Sequence, residues 1–122
     1  WPTFLSKPYV YAANKDLLNK FEDFVQGITI TAPGFYAPQG RQMRIPFAIE
    51  DLHQRMLNFN HNGIKITNFE METSALYGLG KLMGHNCLTL CVILENRATN
   101  QRSTKYKSAI ENLIIQALDK LV

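Results

Sequence analysis

The run Leu88-Thr89-Leu90-Cys91-Val92-Ile93-Leu94 constrains this chain more than any other stretch. Only Thr89 interrupts its apolar character. A strand with one wet face alternates apolar and polar residues, whereas a strand covered on both faces reads as a near-continuous apolar run. A chain containing such a strand needs a layer on each side of it, which points to a sheet with helices packed on both faces. The run ends abruptly in Glu95-Asn96-Arg97, a polar cluster at the carboxyl end of the expected strand.

The remaining segments fit around that expectation. Residues 7–12 read as a short strand, with Pro8 at its start, where a missing N–H is tolerated. Asn14 can cap a helix over 15–25, whose Leu17, Leu18, Phe21, Phe24 and Val25 fall at helical spacing. Residues 27–32 are rich in β-branched side chains and read as a second strand. Ile49, Leu52, Met56 and Phe59 share one face of a helix over 49–59. Asn60-His61-Asn62-Gly63 is a turn cluster, followed by a strand from Ile64 to Thr67. A helix is expected over 71–83, with Gly84 beyond its end as cap. Gly78 and Gly80 lower its intrinsic propensity, a cost that close packing against a neighbour would explain. The last helix, over 104–121, carries Tyr106, Ile110, Leu113, Ile114, Ala117 and Leu121 as its expected buried stripe, with Arg102, Lys105 and Lys107 solvated. This alternation of strands and helices predicts an α/β layered domain with a parallel or mixed sheet.

Composition narrows the function. At 122 residues, with 46% hydrophobic and 19% charged positions, the chain is one globular domain or part of one. The net charge of +3 is mild and no dense Lys/Arg stripe exists, which argues against nucleic acid as a partner. No apolar run approaches the roughly 20 residues of a membrane span, and no signal peptide is visible. Cys87 and Cys91 would lie about 13 Å apart along a strand, too far to bridge, so reduced thiols in a cytoplasmic protein are expected. No pair of Cys or His residues has zinc-ligand spacing, and His53, His61 and His85 are scattered, so no metal is expected. The chain opens on Trp1 rather than Met, which suggests a processed chain or a fragment.

Three polar clusters follow three of the expected strands. The first is Pro33-Gly34-Phe35-Tyr36-Ala37-Pro38-Gln39-Gly40-Arg41, a loop that holds two aromatics, an amide and a guanidinium. A plain surface turn is the simplest account of its composition. Loops on a rigid scaffold also commonly carry function. The second cluster, Glu70-Met71-Glu72, sits where a strand passes into a helix, and ligands of open α/β sheets bind outside the carboxyl ends of strands. Two carboxylates there equally suit the positive end of a helix. The third cluster is Glu95-Asn96-Arg97. If the strands are parallel, the clusters meet at one edge. Gln39 offers a donor and an acceptor in one plane, and Arg41 adds a fork of donors. Together they suit a flat ring of alternating carbonyl and N–H groups, as in uracil. Phe35 can stack on that ring or on a sugar. Met71 is a pliable apolar surface for sugar or base, and the Glu72 carboxylate can accept hydrogen bonds from both hydroxyls of a vicinal diol such as ribose.

On these residues, Phe35-Tyr36-x-x-Gln39-x-Arg41 together with Asn68-Phe69-Glu70-Met71-Glu72-Thr73, the sequence resembles the uridine phosphorylases of the nucleoside phosphorylase superfamily. Val92-Ile93-Leu94 ending in Asn96-Arg97 is similar to their last strand and loop. The resemblance covers about Tyr9 to the C-terminus and matches only the C-terminal half of a family member. It implies a three-layer fold with a mixed central sheet flanked by helices, residues 1–122 forming the base- and ribose-binding part of that domain. It further implies a pentosyltransferase that splits uridine with phosphate into uracil and ribose 1-phosphate, in nucleotide salvage, with phosphate as co-substrate and no cofactor.

Carried over residue by residue, the resemblance assigns Gln39 and Arg41 to the uracil edge and Phe35 to the base–sugar pocket. Met71 and Glu72 would hold the ribose with Glu70 in support, and Ile93 and Leu94 would wall the base. Arg41, Gln39 and Glu72 are the expected catalytic residues. The family's phosphate site lies in the half this chain does not match, so the 122 residues alone are expected to be inactive. Homo-oligomers, dimers or trimers of dimers, are also implied. Two departures stand out. Pro38 replaces a Gly common in uridine enzymes, and Glu95 is an extra acidic residue near the place where purine-cleaving relatives carry an Asp. Purine nucleoside or thioadenosine cleavage, and a catalytically silent nucleoside-binding module, remain as alternatives.

Overall fold

The computed structural model describes residue 3, residues 7–47 and residues 49–122; Trp1 lies outside them. Its centre is a three-stranded mixed sheet in the order β1-β3-β2. β1 (Ile28–Thr31) and β3 (Ile64–Glu70) run parallel, with Thr29 opposite Asn68, Ile30 opposite Phe69 and Thr31 opposite Glu70. β2 (Asn60–His61) pairs antiparallel with the start of β3 through a two-residue turn. That turn is Asn62-Gly63, and both residues have positive φ, 53° and 86°. Asn and Gly tolerate this conformation, and its twist matches that of the strands it joins.

α2 (Leu52–Leu57) and α3 (Thr73–Leu82) pack on this sheet. α1 (Lys15–Asn19) is capped by the Asn14 side chain, whose oxygen accepts from the Leu17 amide at 2.9 Å. It is shorter than the expected helix over 15–25. The chain leaves it in turns that carry Phe21 into the interior. α2 lies against β3, and α3 lies against β1. α3 closes with His85 N donating to Gly80 O and Gly84 N donating to Lys81 O, Gly84 having φ 75°. This left-handed cap satisfies carbonyls that the helix would otherwise leave open. A small hairpin, β4 (Glu95–Asn96) with β5 (Gln101–Arg102), precedes α4 (Tyr106–Leu121). The observed class is therefore the expected mixed α/β one.

Two expected strands do not form. Residues 7–12 and 88–94 take no regular secondary structure and carry no strand pairing among the described residues. Extended propensity makes a segment ready to pair, but a strand also needs a neighbour's backbone. The expected cover over 88–94 is missing as well, since Cys91, Ile93 and Leu94 are exposed. The stripe on α4 is likewise not buried: Ile110, Ile114 and Leu121 all face solvent. α4 is tied to the α1 region by Lys120, whose ammonium meets Asp23 at 2.8 Å and lies over Phe21 and Phe24. An exposed ion pair of this kind contributes little. Among the described residues the buried apolar core is Phe21 and Ala32. The chain exposes 9940 Å², whereas a compact fold of this mass exposes about 6,700 Å². Among the described residues no helix is long and apolar enough to cross a membrane.

One carboxylate fastens the sheet to α3. Glu70 Oε1 accepts from the Thr31 hydroxyl at 2.5 Å, across the β1–β3 pair. Its Oε2 accepts from the amides of Glu72 and Thr73, both at 2.6 Å. The Thr31 hydroxyl oxygen in turn accepts from the Ser74 amide at 2.9 Å. The first amides of a helix have no partner within it, and an acidic group there also meets the positive end of its dipole.

α3 packs tightly through its glycines. Gly78 and Gly80 are buried, and a methyl group on Gly80 would collide with the Cys87 sulfur. Helix propensity alone favours Ala over Gly by about 1 kcal/mol. Forcing a methyl into a filled site typically costs about 1–3 kcal/mol. Gly80→Ala is therefore expected to lower stability in urea unfolding, and a rise would show that the contact yields freely.

Burial pushes the Glu70 carboxyl upward, but the hydroxyl and amide donors outweigh it and hold it below its ordinary value. A folded-state value below the unfolded one means stability that is fully present above about pH 4.3, the ordinary value for Glu. It is lost as pH falls through the lowered folded value. Glu70→Gln should lower the neutral-pH melting temperature and flatten the acid limb of a stability–pH curve. An unchanged acid limb would assign that limb to other carboxylates.

Candidate functional site

The parallel β1–β3 pair sets two of the polar clusters side by side. Ala32 N donates to Glu70 O at 2.9 Å, so the loop after β1 starts beside the end of β3. That loop folds into a single 3-10 turn, Ala37–Gln39, with Pro38 inside it. It ends on Gly40 at φ 73°, and a Cβ at Gly40 would strike the His53 ring of α2. Gly40 thus lets the chain reverse sharply between Gln39 and Arg41. His53 is half-buried in this contact.

Gln39 is 4% exposed. Its Oε1 accepts from Arg41 Nη1 at 2.8 Å and from Arg97 Nη2 at 2.6 Å. Arg41 Nη1 also donates to Phe35 O at 2.5 Å, and its guanidinium lies 3.5 Å from the centre of the Phe35 ring. Arg41 Nη2 reaches Glu95 Oε2 at 3.5 Å. The Arg97 guanidinium lies 5.0 Å from the Phe69 ring on β3. Its Nη1 is buried without a partner among the described residues. Contacts through Arg97 and Glu95 therefore join the loop after β1, the end of β3 and the β4 hairpin.

Two guanidiniums on one amide oxygen are an unusual concentration of positive charge. Burial lowers the proton affinity of Arg97, the Arg41 charge lowers it further, and Glu95 opposes both. Such an arrangement favours an electron-rich group placed against it. Phe35 is stacked but half exposed, so one aromatic face stays open. Ile93 and Leu94 line a shallow open concavity of about 500 Å³ whose other walls belong to Glu95 and the β4–β5 hairpin.

The Glu-Met-Glu stretch divides its labour. Glu70 is spent on the α3 cap, the helix-end role that carboxylates at such a junction suit. Met71 is 41% exposed. Glu72 is exposed, and its carboxylate takes no hydrogen bond among the described residues. The segment 88–91 runs beside α3. Thr89 N donates to the Tyr77 hydroxyl at 2.8 Å, and the Thr73 hydroxyl meets that of Thr89 at 3.3 Å. Although the Cys91 side chain is exposed, partial desolvation raises its thiol above the ordinary value; a hydrogen bond with Asn68 lowers it and the Glu70 charge adds to the rise. Both cysteines are free thiols.

Arg97 is the site residue that sequence reasoning left unassigned. It was visible only as part of a polar cluster after the apolar run. Its partner Gln39 stands 58 positions away in the chain, and spacing carries no sign of that pairing.

A curated uridine phosphorylase from Thermococcus kodakarensis (strain ATCC BAA-918 / JCM 12380 / KOD1) is 32% identical over 82 residues, which are 62% of this chain and 26% of that protein. The chain thus spans about a quarter of the length of the relative it matches. No solved structure matches. The family model described as "Phosphorylase superfamily" matches residues 3–121. The match takes in the Gln39–Arg41–Arg97 cluster, the Glu70 clamp and α4 together, and the chain belongs to the phosphorylase superfamily.

Proposed function

We propose that this chain is the base- and ribose-binding part of a nucleoside phosphorylase acting on uridine. The observation that carries the reading is the convergence of Arg41 and Arg97 on Gln39 Oε1 beside the carboxyl ends of β1 and β3. The arginines and the Gln39 amide nitrogen supply donors for the carbonyl oxygens of a pyrimidine. Phe35 supplies an aromatic face for the ring, Ile93 and Leu94 an apolar wall, and Met71 a surface for the sugar. Glu72, uncommitted within the described residues, takes the 2′- and 3′-hydroxyls. Glu70 supports Glu72 by accepting a hydrogen bond from its backbone amide. The resemblance to the uridine-cleaving branch, and the uridine phosphorylase among the relatives, support the pyrimidine reading.

The chemistry follows from the charges. As the glycosidic bond to the base lengthens, the ribose becomes oxocarbenium-like and the electron pair passes to the base. Donors already held against the base oxygens then bind the transition state more strongly than the ground state. The two guanidiniums are positioned before substrate arrives, so little reorganisation is needed at the moment of bond breaking. Phosphate then closes on the opposite face of the sugar to give ribose 1-phosphate. By family resemblance its site is assigned to a portion not matched here, as is completion of the pocket by a neighbouring subunit.

Calorimetry with uridine and uracil tests this. The chain should bind both without phosphate-dependent turnover. Arg41→Ala should weaken both ligands by tenfold or more, the usual size for a hydrogen bond from a charged group. Glu72→Gln should weaken uridine about tenfold and leave uracil unchanged. Equal loss of both ligands on Glu72→Gln would remove it from the sugar site, and robust uridine phosphorolysis by the 122 residues would overturn the assignment of the phosphate site.

A further inference from the structure

The loop after β1 is held at its origin, where Ala32 N donates to Glu70 O. Its working end lies at Gln39 and Arg41, with Gly40 between them. The turn there is closed by its own backbone: Gly40 N donates to Ala37 O and Arg41 N to Tyr36 O, both at 2.9 Å. Such bonds fix the shape of a turn but not its place on the sheet. The side chain packed against Gly40 is the imidazole of His53. Gly40 is buried and His53 half-buried, with the ring Nε2 in the space that a Cβ on Gly40 would need. His53 belongs to α2, which packs on β3. The ring therefore ties the far end of the loop to the strand that carries Phe69 and Glu70. Its Nε2 is buried and has no hydrogen-bond partner among the described residues. The contact is thus one of shape, and close-packed groups pass a displacement on to their neighbours.

We infer that His53 is a positioning residue, which by packing on Gly40 sets where Gln39 and Arg41 stand against Arg97 and the base. The inference rests on the pyrimidine reading above and adds to it a residue that touches no ligand. Groups that must meet each other and a small rigid ring together tolerate a drift of only about half an ångström. Without the imidazole, the turn has room to slide toward α2, and the two flanking side chains move with it.

The test is calorimetric binding of uridine and uracil to the chain, to His53→Ala, His53→Gln and Gly40→Ala, and to the double variant His53→Ala/Gly40→Ala. His53→Ala should weaken both ligands by the same factor, about tenfold, the usual size for a hydrogen bond from a charged group. The factor is shared because the loop meets the base and not the sugar. His53→Gln, whose side chain brings atoms to nearly the same place, should recover most of the loss. Gly40→Ala should also weaken both ligands, since its Cβ meets the ring and φ 73° is strained for a residue with a side chain. Removing the ring relieves that collision, so the double variant should bind at least about threefold better than the product of the two single losses. If the losses multiply without coupling, the contact positions nothing and the inference fails. If uridine loses more than uracil on His53→Ala, the ring supports the whole fold and not this loop, and it fails again. Should Gly40→Ala not fold, His53→Ala against His53→Gln decides alone, and equal losses overturn the inference. If wild type binds neither uridine nor uracil, the pyrimidine reading falls and this inference with it; if wild type binds them and His53→Ala binds them as tightly, only this inference falls.

Discussion

The Glu70 carboxylate holds three elements at one point. It takes a hydroxyl from β1, stands on the last residue of β3, and receives two amides from the start of α3. Without it the end of β1 and the N-terminus of α3 would share only the hydrogen bond from the Ser74 amide to the Thr31 hydroxyl. The loop leaving β1 carries Gln39 and Arg41, and the residues beside Glu70 are Phe69, Met71 and Glu72. Both halves of the proposed site are therefore built outward from a single half-buried acceptor. Side chains that must meet a small rigid ligand gain little from charge alone; they need their backbones set to within about half an ångström.

Local chemistry made some of this legible in advance. The β-branched content of β1 and the Asn62-Gly63 turn can be read from the sequence because each acts through its own backbone. The same holds for the Gly84 cap and for the close approach at Gly78 and Gly80. The errors share a cause. Residues 7–12 and 88–94 have the composition of strands, and α4 has an apolar stripe, yet composition states only what a segment is fit to bury. Whether it is buried depends on a second surface, and within the described residues that surface does not arrive. The large exposed area and the two-residue core express the same fact in square ångströms.

The candidate site was legible as types of residue and not as a wiring diagram. Gln39 and Arg41 were expected to present their polar groups to a ligand. Instead the amide oxygen faces inward and is held by two cations. Sequence cannot show that, because the decisive partner, Arg97, comes from the far side of the apolar run. Glu70 shows the converse. It had the residue type of a ligand-binding group and spends its whole capacity on the scaffold.

The pairing of Arg41 with Arg97 makes physical sense only together with what surrounds it. Two like charges on one oxygen repel, and burial makes each more costly. Phe35 and Phe69 each lie against one guanidinium, and such contacts are worth about 0.5–2 kcal/mol depending on desolvation. Glu95 adds a compensating charge at 3.5 Å. These offsets leave a net cation that is incompletely satisfied, with Arg97 Nη1 lacking a partner among the described residues. An unsatisfied buried donor costs about 1–3 kcal/mol. A site that retains such a cost recovers it when an acceptor arrives, most fully when that acceptor carries charge. On the proposed reading, the carbonyl oxygens of a neutral pyrimidine accept these donors at binding and accept them more strongly as the bond to the sugar breaks, so the donors favour the transition state over the ground state.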